Sequence, residues 1–116
     1  MPCTECGREA IVHVAARCLD RWIHTEFLGL ALPANPDDVP LYSSVQAGDP
    51  ALDALIDARR WPADFRCHVV AGEWTVDSAN KRLASERSIA LALCRAALTA
   101  LPRGGNSQLE IFYRLH

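Results

Sequence analysis

The longest amphipathic pattern in the chain runs over residues 82–101, RLASERSIALALCRAALTAL. At about 100° per residue, Leu83, Ala90, Leu91, Leu93, Cys94, Ala97, Leu98 and Leu101 form one apolar arc, which Ile89, Ala96 and Ala100 widen. Ser85, Ser88, Arg95 and Thr99, with Ala92 among them, form a narrow polar stripe. The pattern predicts a helix over 82–101 that is covered on more than half of its circumference, the core element around which the rest must pack. Earlier in the chain Ala15, Cys18, Leu19, Trp22, Ile23 and Phe27 recur at helical spacing, and Gly29 stands where a left-handed C-cap belongs, so a helix is expected over 15–28. Residues 10–14 are short and rich in β-branched side chains, which reads as a strand or as an early helical turn.

Pro33, Pro36 and Pro40 make residues 30–48 a long loop, because proline removes a donor and pushes its predecessor towards extended geometry. Asp49 offers an N-cap oxygen and Pro50 suits the first helical position. With Leu52, Leu55 and Ile56 following, a short helix is expected over 50–60. Phe65, Cys67, Val69 and Ala71 alternate with polar and smaller neighbours, Gly72 makes a turn, and Trp74 and Val76 resume the alternation, which predicts a β-hairpin over 64–77. Pro102, Gly104 and Gly105 turn the chain after the long helix, and Leu109, Ile111, Tyr113 and Leu115 then alternate as a strand over 108–115. The expected fold is α+β: a three-stranded antiparallel sheet, made of the hairpin and the C-terminal strand, packed with the long helix and the two shorter ones. Residues 1–14 read as a separate N-terminal arm, and 15–116 as a single domain.

A length of 116 residues and 50% apolar content suit one compact core. The net charge is −2, and Lys81 is the only lysine among twelve basic residues, so the basic stripe that drives direct nucleic-acid binding is missing. No apolar run approaches the ~18 residues of a membrane span, and the N-terminus lacks the order of a signal peptide, so a cytoplasmic protein without a membrane partner is expected. The five cysteines, Cys3, Cys6, Cys18, Cys67 and Cys94, are an odd number, which in that compartment favours thiols or a metal over a disulfide framework.

The chemistry in the pattern is sparse. Cys3 and Cys6, in a CxxCG opening, can bind one face of a tetrahedral zinc ion, with two further ligands drawn from Cys18, Cys67, His13, His24 or His68. The order Cys3, Cys6, His13, Cys18 comes near a zinc knuckle without matching it. No other cofactor is expected. His24 lies one turn after Asp20, a spacing that allows an acid–base pair but more often makes a surface pair. Cys67 and His68 point to opposite faces of one strand and cannot act together as nucleophile and base. No catalytic residue emerges, and the chain is not expected to be an enzyme. Asp37, Asp38, Asp49, Asp53 and Asp57, with Asp64 beyond them, make the loop and the second helix acidic, either a solvated face or a binding surface for a basic partner.

Three segments carry a resemblance: LDRWIHTEFLG from Leu19, VPLYSS from Val39 and RSIALALCRAALTAL from Arg87. Together they resemble the phage ABA sandwich domain, a family of small phage and prophage proteins that run helix, proline-rich loop with a Tyr-Ser, helix, β-hairpin and Ala-rich helix. The match covers about residues 16–101, with Tyr42 and Ser43 in the loop and Leu91 to Leu98 in the final run. The resemblance implies a phage-encoded accessory protein in a bacterial host, one that binds a host or phage protein, with an inhibitor of host defence of the anti-CRISPR kind as its sharper form. It implies no catalytic residue. The alternative is a small zinc-stabilised interaction module with no inhibitory role.

Overall fold

A computed structural model describes residues 3, 5–9, 13–46, 48–58, 61, 65–78, 81–100 and 110–113. Helix α1 (Arg17–Trp22) runs directly into a π-helical turn (Ile23–Phe27). Its first turn has no side-chain cap of its own, and the Ala16 N–H donates instead to the Ser43 hydroxyl at 3.2 Å. The turn widens because the Leu28 N–H reaches back to the Ile23 carbonyl, five residues away, at 2.8 Å, while the Thr25 hydroxyl occupies the Arg21 carbonyl at 2.9 Å. Gly29, at φ 70°, ends the element as its position predicts.

The proline-rich loop carries a 3-10 turn (Pro36–Asp38), capped by the Asn35 side chain accepting from the Asp37 N–H. Helix α2 (Pro50–Ile56) starts as anticipated, with Asp49 Oδ1 accepting the Ala51 N–H at 2.8 Å and Pro50 in the first turn. It stops at Ile56, short of the expected 60, and Arg59 and Arg60 lie outside the described residues. Past its end the fully buried Trp61 donates its indole N–H to the Leu55 carbonyl at 3.0 Å, which satisfies one of the acceptors left at a helix C-terminus.

The hairpin is present as β1 (Phe65–Val70) and β2 (Glu73–Ser78), antiparallel, with Cys67 opposite Val76 and both fully buried. Its two-residue turn has positive φ at Ala71 and Gly72, 52° and 80°, so Ala71 begins the turn instead of ending the strand. Residues 82–86, assigned above to the start of the long helix, instead belong with Lys81 to a third strand, β3 (Lys81–Glu86), antiparallel to β2 with a register shift at Val76/Asp77. Pairing with the open edge of β2 outweighs the helical preference of this segment. Ser88 then starts helix α3 (Ile89–Ala100), its hydroxyl accepting the Leu91 N–H at 3.3 Å and its carbonyl the Ala92 N–H at 3.1 Å.

Strand β4 (Glu110–Tyr113) joins the sheet beside β1, in the order β3-β2-β1-β4. It pairs parallel to β1, with Cys67 opposite Ile111, so the expected all-antiparallel sheet is corrected. The reason is parity: β3 runs parallel to β1, α3 returns across the sheet, and the next strand must again run in the direction of β1. With 82–86 read as helix, one reversal is lost and the last strand is given the wrong sense. The turn expected at Pro102, Gly104 and Gly105, and the outer parts of the strand over 108–115, lie outside the described residues.

Helix α3 packs on β2 and β3 and touches α2 and the π turn. Ala90, Ala92, Leu93, Cys94, Ala96, Ala97 and Leu98 are all fully buried, so Ala92 belongs to the core and not to the polar stripe. Phe27 and Trp61 pack with ring centroids 4.8 Å apart, and Phe65 extends the cluster at 6.2 Å. Among the described residues, no helix is long and apolar enough to cross a membrane.

Candidate metal centre

The opening CxxCG closes into a tight loop: the Cys3 N–H donates to the Arg8 carbonyl and the Gly7 N–H to the Cys3 carbonyl, both at 2.9 Å. Gly7 takes φ 75°, where a side chain would be strained. Cys3 is thereby turned inward and buried, while Cys6 stays at the surface. His13 and Cys18 complete the group, the latter from the first turn of α1. One ligand atom from each of Cys3, Cys6, His13 and Cys18 lies within 4.8 Å of all the others.

Zinc fits this donor set. With Zn–S of about 2.3 Å and Zn–N of about 2.05 Å, a tetrahedral site has a sulfur-to-nitrogen edge of about 3.6 Å. The observed edges from His13 Nε2 are 3.3 Å to Cys6 Sγ and 3.8 Å to Cys18 Sγ. The imidazole is also correctly prepared. His13 Nδ1 lies 2.7 Å from the Val14 carbonyl, which can only accept, so the ring proton sits on Nδ1 and the Nε2 lone pair faces the sulfurs. A main-chain hydrogen bond from Arg8 is the largest influence on the Cys6 thiol and holds it below the usual cysteine range. Cys18 is pushed up to about 11, first by burial and then by Cys6 and Cys3 beside it. Such crowding of thiols opposes their joint ionisation until a cation offsets the charge.

Two contacts fasten the cluster to the rest of the chain. The fully buried His13 offers its carbonyl to Arg95 Nε of α3 at 2.7 Å, and Arg95 Nη1 also reaches Glu86 at 3.1 Å. Glu5, inside the cysteine loop, pairs with Arg21 of α1 at 2.8 Å, and Arg21 pairs in turn with Asp37 at 2.8 Å. The Arg21 guanidinium lowers the Glu5 carboxyl below its ordinary range.

The other candidate ligands lie elsewhere. Cys67 is in the sheet core, its thiol pushed up to about 12 by burial. His68 pairs with Asp77 at 3.4 Å on the opposite face of the hairpin. His24 does not meet Asp20: its Nδ1 accepts from the Tyr42 hydroxyl at 2.8 Å and its Nε2 donates to the Ala31 carbonyl at 3.1 Å. Asp20 is 1% exposed, and its Oδ1 accepts from the Ser43 N–H at 2.7 Å and the Ser43 hydroxyl at 2.6 Å. Its Oδ2 takes Arg17 at 2.8 Å, and Arg17 also donates to the Asp37 and Val39 carbonyls. That buried network ties α1 to the proline-rich loop and gives Tyr42 and Ser43 a structural role. Nothing in the sequence periodicity marks it, since it joins residues 23 apart in the chain.

The acidic residues are dispersed in their duties. Asp37 serves Arg21 and Asp49 caps α2, while Asp38, Asp53 and Asp57 are exposed. The buried indole N–H of Trp22 has no acceptor among the described residues, a deficit worth about 1–3 kcal/mol. In comparisons with known proteins, the chain matches no family model, no curated protein and no solved structure.

Proposed function

We propose that this chain is a small zinc-stabilised interaction module, in which a closed Cys3-Cys6-His13-Cys18 centre holds the N-terminal arm against α1 and α3. The observation that carries the reading is the convergence of three sulfurs and one prepared imidazole within 4.8 Å. Four protein ligands leave no open coordination position, which suits a structural and not a catalytic metal. Zinc, when bound, supplies the cross-link; the protein's own residues supply the arm, the Glu5–Arg21 pair and the Arg95 clamp. The module works by binding another protein. Its phage setting, and the sharper role of inhibiting a host defence, rest on the resemblance to the phage ABA sandwich domain alone.

Purified protein is expected to carry about one equivalent of zinc, to lose it with a strong chelator or on Cys18→Ser, and to melt at a lower temperature afterwards. Cobalt substitution should give the intense absorption of a tetrahedral thiolate site. Metal-free protein that is equally stable, with Cys6 and Cys18 reacting as independent thiols, would remove the centre from consideration.

A further inference from the structure

We propose that the groove between the cysteine loop and the π turn is a docking site for an extended, basic segment of a partner protein, one in which an arginine or lysine neighbours an aliphatic residue. The inference rests on the reading of the chain as an interaction module and names what that module takes. The groove is an open cavity of about 360 Å³, lined by Glu5 of the cysteine loop, Arg21 and Trp22 of α1, Glu26 of the π turn, and Leu32 and Pro36 of the loop.

Its charge decides the partner. Arg21 is held between Glu5 and Asp37, so its positive charge is offset within the fold. Glu26 is exposed and has no ion-pair partner among the described residues. The groove therefore carries surplus negative charge beside the apolar surface of Pro36 and of Leu32, which is 45% exposed. A basic segment with adjacent aliphatic side chains complements both. A further observation coincides here: the π turn, a rare geometry that recurs at functional sites, is the element that presents Glu26.

The test uses the full chain, isotopically labelled, with its zinc content measured on the same sample. The probe is a capped hexapeptide of arginine, leucine, proline, arginine, leucine and lysine, compared with its counterpart in which each basic residue is glutamate. The basic probe should bind more tightly than about 1 mM and shift the amides of Glu5, Glu26 and Leu32. Glu26→Lys should weaken binding about tenfold or more, whereas Asp53→Lys on α2 should leave it unchanged. Absence of binding, or equal binding of the acidic counterpart, overturns the proposal. So does sensitivity to Asp53→Lys without sensitivity to Glu26→Lys, which would move the site to α2. Amide shifts that depend on protein concentration without peptide would assign the groove to a second copy of the chain and equally defeat it. Zinc-free protein that still binds the probe at the groove would sink the metal reading alone, and zinc-loaded protein that ignores it would sink the docking site alone.

Discussion

Arg95 shows how one residue can serve two levels of structure. It is the single charge on α3, yet its side chain is only 13% exposed, because its guanidinium spans from the Glu86 carboxylate to the His13 carbonyl. The contact joins residues 82 apart and bears on the residue that carries the candidate imidazole ligand. Partners that orient a ligand typically change metal affinity by about 10–100-fold when removed. Arg95→Met, which retains the bulk of the stem, should therefore weaken zinc binding about tenfold or more in a chelator competition. Arg95→Lys should recover little, since an ammonium cannot reproduce the two-sided reach of the fork. Unaltered zinc affinity in both variants would reduce Arg95 to an ordinary surface ion pair.

At the scale of elements the hairpin offers the sharpest test. The turn between β1 and β2 demands positive φ at two consecutive residues, and only the second is glycine. Ala71 holds φ 52°, a conformation that costs an L-residue roughly 1 kcal/mol and that asparagine tolerates better. Ala71→Asn should accordingly raise stability by about 0.5–1 kcal/mol and lift the melting temperature by a few degrees, with no effect on metal content. A lowered melting temperature would mean that the turn has a different backbone. The rest of the element scale is governed by substitution of partners: α1 lacks a local cap and borrows Ser43, α2 has its Leu55 carbonyl met by Trp61, and β3 exists because β2 would otherwise present an unpaired edge.

Over the whole molecule the five thiols divide into two populations. Cys3, Cys6 and Cys18 gather at the candidate metal centre, and Cys67 and Cys94 are fully buried in the core. Burial pushes the Cys67 thiol up to about 12 from 9.0, and Cys94 well above 9.0. These groups are protonated when folded and ionise in the unfolded chain, so their contribution is fully present below about pH 9 and is lost as pH rises towards 12. Each should add a slope of about 1.4 kcal/mol per pH unit to the loss of stability in that window. Denaturant unfolding across the range should give a shallower decline for Cys67→Ala than for the parent chain, although the variant starts less stable. Identical slopes would place Cys67 in contact with water.

Much of this architecture is legible along the chain because it depends on near neighbours. The helix caps at Asp49 and Gly29, the hairpin around Gly72 and the apolar faces of α1 and α3 follow from local sterics and from periodicity, which act within a few residues. Cys3 and Cys6 are visible as half of a metal site for the same reason. What the tertiary structure decided is of longer range. Residues 81–86 have the composition of a helix and became a strand through the open edge of β2, and that one change reversed the sense of β4. His13 and Cys18 were two among five candidate ligands until the fold drew their atoms together, buried Cys67 in the sheet core and sent His24 and His68 to other partners. Spacing sets how far a ligand can reach, but only the packing of the arm against α1 and α3 determines where it points.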